Sequence, residues 1–292
     1  MNLFRLFGPT KTLIKQTPTR AICTTNKLNL FHEKDDRGGY PTRPLPPFNE
    51  RMSLGWSELK KEVKIWCGEV KELLDGDPIR AWRPGETDIA WRFKSEDSLD
   101  KWIVTSDSDH NEGSSHCTLE RNMYGNAVFS GHISLQVPKD GQVKRAGYCN
   151  IKTMRARKSF KRATYLNWIP YNTMVMKVKG DGRTYLLSIS TRGFYDITWN
   201  DVYNYQLYTR GGPYWQIAKI PFSKFFFSAK GRIQDKQFPI TLDKVASFGI
   251  TAQDRHGGDF KLEIDYIGLE YDPKHVEEFA YEEYKMETGI VD

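Results

Sequence analysis

From residue 88 onward the chain is broken at short, regular intervals, and this constrains its fold more than any other feature. Runs rich in β-branched and aromatic residues, among them "IAWRF", "NAVFSGHISLQV", "TMVMKVKG", "TYLLSIST" and "VASFGITA", alternate with clusters of Gly, Asp and Asn. Short runs of that composition between turn residues read as β-strands. About twelve of them recur at spacings near ten residues, the pattern of an antiparallel β-sandwich. The fold class expected is therefore all-β. No strand–helix alternation occurs, so a nucleotide-binding α/β sheet is not expected.

Period-two patterning assigns faces within these runs. In "TMVMKVKG", Met174, Met176 and Val178 share one face. In "FKLEIDYIGLEY", Phe260, Leu262, Ile264, Tyr266 and Gly268 share one face, with Lys261, Glu263 and Asp265 on the other. "GDGR" at 180–183 reads as a tight hairpin turn, since Asp-Gly accepts positive φ at low cost. "RHGGD" at 255–259 reads as the turn of a second, closing hairpin.

The N-terminal third has a different character. Five of the chain's 43 basic residues and none of its 37 acids lie in residues 1–32, so the rest of the chain is nearly neutral. Basic, acid-free, Thr-rich and amphipathic, 1–32 reads as a mitochondrial transit peptide. Residues 33–52 are rich in Pro and Gly and read as an extended linker. In 53–87, Leu59, Val63, Trp66, Val70 and Leu73 recur at steps of four and three, one apolar stripe along a helix. Ser57 is its candidate N-cap. The stripe suits packing on the body of the protein or docking to a partner helix. The sandwich spans 88–272. Asp272 and Pro273 then open an expected short acidic helix over 273–292.

Several function classes find no support. No run reaches the roughly 18 apolar residues of a membrane helix. Cys23, Cys67, Cys117 and Cys149 form no C-x-x-C and read as reduced thiols in an intracellular compartment. No nucleophile elbow, P-loop or dinucleotide fingerprint is present. Asp254, His256 and Asp259 crowd one turn as metal ligands would, but no second cluster supplies further donors. Glu263 and Asp265, one repeat apart on a strand, have a spacing that glycoside hydrolysis can use. It is equally that of a strand's solvated face. No metal, cofactor or catalytic residue is assigned.

Charge separates along the chain. Residues 141–180 hold ten cations and no acid, whereas 259–292 hold eleven acids and three lysines. Within the basic run, Phe160, Tyr165 and Trp168 interleave with cations, as in a nucleic-acid stripe. The near-neutral body argues against nucleic acid, since such binding rests on phosphate neutralisation. A partner surface or anionic lipid fits better, with Lys152, Arg155, Arg157, Lys158, Lys161, Arg162 and the helix residue Trp66 as its candidates. The dense aromatics between 168 and 215 leave a carbohydrate-binding module as the alternative.

The quoted runs also carry a family resemblance. "SDSDHNEGSSHCTLE", "NAVFSGHISL" and "RAGYCNI", then "VKGDGRTYLLSI", "WQIAKIPFSKF" and "ASFGITAQDRHGGDFKLEIDYIGL", together resemble the 30-kDa complex I intermediate-associated protein family over about 88–272. The resemblance implies a galactose-binding-like jelly roll. It also implies a non-enzymatic, matrix-side assembly factor for mitochondrial NADH:ubiquinone oxidoreductase. Implied partners are membrane-arm subunits, an acyl-CoA dehydrogenase-related assembly factor, a Toll-pathway signalling-intermediate protein and small membrane proteins. Peripheral contact with the inner membrane is implied too, and no catalytic residue is carried over.

Overall fold

The computed structural model describes residues 47–76, 83–139, 141, 143, 145–193 and 201–280. The expected transit peptide at 1–32 lies outside them. So do most of the linker and residues 281–292. The chain divides into two compact units, residues 1–58 and 59–292.

Of the first unit, residues 47–58 are described. Helix α1 (Phe48–Asp75) starts inside the stretch expected to be linker. Pro47 needs no amide partner there, and its carbonyl accepts the Arg51 amide at 3.0 Å. Ser57 is consequently not a cap. It sits within the helix and donates to the Leu54 carbonyl at 2.7 Å.

The second unit is built on strands. In chain order they are β1 (Thr87–Arg92), β2 (Trp102–Ser106), β3 (His116–Arg121), β4 (Ala127–Ile133), β5 (Cys149–Thr153), β6 (Thr173–Lys179) and β7 (Thr184–Thr191). Then follow β8 (Asp201–Tyr208), β9 (Gln216–Pro221), β10 (Phe226–Ala229), β11 (Arg232–Ile233), β12 (Val245–Ala252) and β13 (Gly258–Glu270). One sheet has the order β3-β4-β13-β6-β9, with β1 also on β13; the other runs β11-β10-β8-β7-β12-β5-β2. Every pairing is antiparallel, and one core joins the two sheets. The all-β antiparallel sandwich expected from the sequence is the fold. Met174, Met176 and Val178 lie in its core, as the alternation of β6 requires.

Both expected hairpins are instead arches between sheets. β6 and β7 are consecutive but belong to different sheets, and so do β12 and β13. A glycine-rich turn reverses the chain in either case, and polar side chains fix where it goes next. Arg183, in the first arch, donates through Nη1 to Asp254 at 3.1 Å and to the His256 carbonyl at 2.8 Å, in the second. Asp181 accepts the Lys261 amide at 2.8 Å and the Tyr185 hydroxyl at 3.2 Å. Burial first, then the Asp181 charge, pushes the Tyr185 phenol above its ordinary range.

Strand β13 changes phase part-way. Phe260, Leu262 and Ile264 enter the core as expected, but Ile267 and Leu269 follow them instead of Tyr266 and Gly268. The pairing with β6 slips between Ile264 and Tyr266, leaving Asp265 as the extra residue of a bulge. One added residue exchanges the two faces. The slip lets β13 pair β4 along Gly258–Ile264 and β1 along Tyr266–Glu270.

The expected C-terminal helix is absent from its described part, residues 273–280, which are turns and irregular chain. The helix signals lose to anchoring on the body. Asn172 accepts the Asp272 amide at 2.8 Å, and His275 shares a 2.6 Å hydrogen bond with Ser223.

The bulge gives a direct test. Deleting Asp265 should turn Ile267 and Leu269 outward and abolish the soluble folded protein. Asp265→Asn, which removes only the charge facing Lys177, should cost less than about 1 kcal/mol by urea unfolding.

Candidate functional site

From Leu59 onward α1 meets the body on an unexpected face. Its one buried residue is Glu62, 2% exposed. The apolar stripe is largely left in solvent: Trp66 is 48% and Leu73 82% exposed, and only Leu59 and Val70 are half-buried. The stripe therefore does not pack on the body.

The basic loop after β5 explains this orientation. Glu62 Oε1 accepts Arg157 Nη1 at 2.8 Å, and its Oε2 accepts the Phe160 amide at 2.7 Å. Two turns along the same face, Glu69 accepts the Ser159 amide, the Ser159 hydroxyl at 3.1 Å and Arg162 Nη2. Phe160 has φ 54° and ψ 36°, the left-handed region that a bulky side chain rarely adopts. The Glu62 carboxylate holds its amide in that conformation. The Ser159 backbone and side chain, helped by Arg162, keep the Glu69 carboxyl below its ordinary range. A loop offering cations and amide donors, in a segment without acid, selects the carboxylate face of the helix.

This rearranges the candidate surface. Arg157 and Arg162 are half-exposed, yet each is paired to a helix glutamate. Arg155 donates to the Tyr165 hydroxyl at 2.8 Å and lies 5.3 Å from that ring's centre. Lys158 is exposed, and the Lys161 side chain lies outside the described residues. Lys152 is half-buried on β5, lining a cleft of about 490 Å³ with Asn150, Ser188, Asn204 and Thr251. The outward set is thus Lys158 on the loop, with Trp66, Val63, Leu73, Lys60, Lys64 and Lys71 on α1. Sequence analysis missed Glu62 and Glu69. Their spacing on one helix face was visible, but their partners lie ninety or more residues away.

The other candidates serve the fold. Glu263 lies 2.9 Å from Lys179 and 3.2 Å from Lys261, and Asp265 lies 2.7 Å from Lys177. Burial pushes the Glu263 carboxyl upward, but hydrogen bonds and charge from the two lysines outweigh it and hold the group below its ordinary range. A general acid needs the opposite shift. Asp254 is bound to Arg183, and Asp259 to His132 at 2.7 Å. Among the described residues no group of three or more His, Cys, Asp or Glu could hold a metal ion. Of the aromatics, Trp168, Tyr171 and Tyr203 are buried, and Trp215 lies against Lys177 and Lys179. Tyr195 and Trp199 lie outside the described residues.

Similarities to known proteins cover the sandwich and extend beyond it. A family model described as complex I intermediate-associated protein 30 matches residues 91–264. A Drosophila melanogaster protein named "Complex I intermediate-associated protein 30, mitochondrial" is 53% identical over 273 residues, covering 92% of each chain. A Caenorhabditis elegans protein, named as the probable equivalent, is 44% identical over 82% of this chain and 70% of its own. The Mus musculus protein of that name is 42% identical over 71% and 63%. Two structures of a family 11 carbohydrate-binding module from Clostridium thermocellum are similar at TM-scores of 0.44 and 0.46. Their identities are 15% and 13%, over 65% and 68% of this chain and 98% and 100% of theirs.

Two measurements test the site. Glu62→Ala leaves Arg157 and the Phe160 amide without their acceptor and should weaken helix docking by about 1–3 kcal/mol. It should appear as faster hydrogen exchange in residues 59–75, with β13 unchanged. The second concerns pH. The depressed Glu263 carboxyl contributes stability that is present above the ordinary carboxylate range and lost as pH falls through its lowered value. The urea midpoint should stay level from neutral pH until that range and then drop, with a shallower drop in Glu263→Gln.

Proposed function

This chain belongs to the complex I intermediate-associated protein 30 family, and on that premise we propose that it is a mitochondrial assembly factor for respiratory complex I. It acts from the matrix side by binding membrane-arm intermediates, without catalysing a reaction, and works beside other assembly factors in peripheral contact with the inner membrane. The observation that carries this reading is the 53% identity to the Drosophila protein, which runs nearly the full length of both chains.

The contact is made by the outward side of α1 together with Lys158. Trp66, Val63 and Leu73 form an apolar strip, and Lys60, Lys64 and Lys71 flank it. Exposed apolar groups rimmed by charge mark binding surfaces. Cations here suit an acidic subunit face or the anionic surface of a membrane, steering approach while the apolar strip supplies most of the affinity. The paired glutamates keep the helix turned so that this side faces outward. The carbohydrate-binding alternative is not favoured: several of the aromatics that suggested it lie in the core.

The test is affinity purification from mitochondria followed by native electrophoresis. The protein should migrate with partial complex I and be absent from the finished enzyme. Trp66→Glu combined with Lys158→Glu should lower that co-migration at least tenfold if the contact is worth more than about 1.4 kcal/mol, with an unchanged urea midpoint. Full co-migration of the variant would remove this face from the interaction. Absence of the wild type from every partial complex would overturn the function itself.

A further inference from the structure

Three of the four cysteines lie among the described residues, and two of them sit on strands that are in contact. Cys117 is on β3, an edge strand of one sheet, and Cys149 is on β5 of the other. The link is β2. It pairs with β5 so that Ser106 faces Cys149 and Thr105 faces Asn150. Cys117 Sγ reaches across to the Thr105 carbonyl at 3.5 Å, one residue from Cys149's partner. Strands β3 and β5 are themselves in contact. Cys149 is fully buried, whereas Cys117 is half-buried on the edge strand, where it packs against the core.

We propose that Cys117 and Cys149 are a peroxide-sensitive dithiol, a modification site that closes to a disulfide between the two sheets. The oxidant is hydrogen peroxide. The Cys117 thiolate attacks one peroxide oxygen: an S–O bond forms, the O–O bond breaks, and hydroxide leaves to be protonated to water. The Cys149 sulfur then attacks the Cys117 sulfenic acid. The S–S bond forms, the S–O bond breaks, and the departing hydroxide takes the Cys149 proton as a second water. The two thiols lose two electrons in all, and one peroxide becomes two waters.

The division of roles follows from the surroundings. The Cys149 thiol, as hydrogen-bond donor, and the Asn150 backbone amide lower the Cys117 thiol below its ordinary range. That same donation, together with burial, raises Cys149. The less buried of the two cysteines is therefore the one that ionises, and the thiolate is the nucleophile. The buried sulfur stands ready to resolve the sulfenic acid before further oxidation. Cys67, exposed on α1 with neither thiol near it in sequence, is the internal comparison.

The test uses the full-length reduced protein, treated with hydrogen peroxide, alkylated with iodoacetamide, digested and read by mass spectrometry. The expected product is a Cys117–Cys149 linked peptide, lost on treatment with dithiothreitol and formed at peroxide levels that leave Cys67 alkylatable. In Cys149→Ala, dimedone should trap Cys117 as its sulfenic acid. In Cys117→Ser, Cys149 should remain fully alkylatable after denaturation. Two results in the wild type would overturn the proposal. One is both thiols still alkylatable at peroxide that oxidises Cys67. The other is Cys117 converted to sulfinic acid with Cys149 untouched. The wild-type result decides the matter even if a variant fails to fold.

Discussion

Strand β13 has to feed one core from two halves that pair with different neighbours, and the rest of the sandwich depends on how it does so. Its first half lies against β4 and its second against β1, while β6 runs along both. A single unbroken alternation would place Ile267 and Leu269 in solvent. Each buried side chain of this size is worth about 1.5–3 kcal/mol, so the loss would rival the net stability of a small domain, about 5–15 kcal/mol. One extra residue at Asp265 avoids it. The bulge leaves Asp265 on the outer face, where Lys177 meets it, and returns the following apolar residues to the core. Acids that resembled a catalytic pair are thus the outer trace of a strand built around a change of phase.

The same choice between apolar and polar contact recurs at α1, with the opposite result. Turning the stripe of Val63, Trp66 and Leu73 inward would gain apolar burial. It would also leave the basic loop's guanidinium groups and the Ser159 and Phe160 amides to find other acceptors. A buried donor without an acceptor costs about 1–3 kcal/mol, more when charged. Two glutamates on one helix face satisfy several such donors together and fix Phe160 in a left-handed conformation. The carboxylate face goes inward and the apolar face outward. The basic segment and Trp66 of the helix, which the sequence offered together as candidates for one partner surface, belong to an assembly in which the loop's cations face the helix glutamates.

Local chemistry was legible in the sequence, and the choice of partner was not. The strands could be read because β-branched runs between glycine turns have little else to form, and β6 obeys its alternation throughout. The two arches could not. "GDGR" and "RHGGD" specify a reversal, but whether the next strand stays in its sheet is decided by Arg183 reaching Asp254 and by Asp181 capping the Lys261 amide, contacts seventy or more residues apart. The bulge was hidden because Tyr266 is apolar enough to continue the wrong alternation. The C-terminal helix signals at Asp272 and Pro273 were genuine local preferences, overridden by Asn172 and Ser223. At the arches and the C-terminal segment, the miss is a polar group answering a distant partner. Hydrophobic periodicity carries no information about such pairs.

Polar satisfaction also separates the surfaces that serve the fold from those left to serve something else. Glu263, Asp265, Asp254 and Glu62 each meet a cation. Glu263 held in this way is a poor acid, because a proton donor needs a pKa near the working pH and its carboxyl is shifted away from it. They resist replacement because losing one strands its cation. The outward side of α1 has no such internal explanation. Its tryptophan and leucines sit in water, and the charge pattern that turns them outward is intramolecular. Selection for stability alone would favour polar residues at Trp66 and Leu73, where an apolar side chain gains nothing from burial. An exposed strip maintained by a partly exposed ionic clasp is what the proposed binding role requires: an apolar face presented in a fixed direction before the partner arrives, so that little conformational entropy remains to be lost on docking.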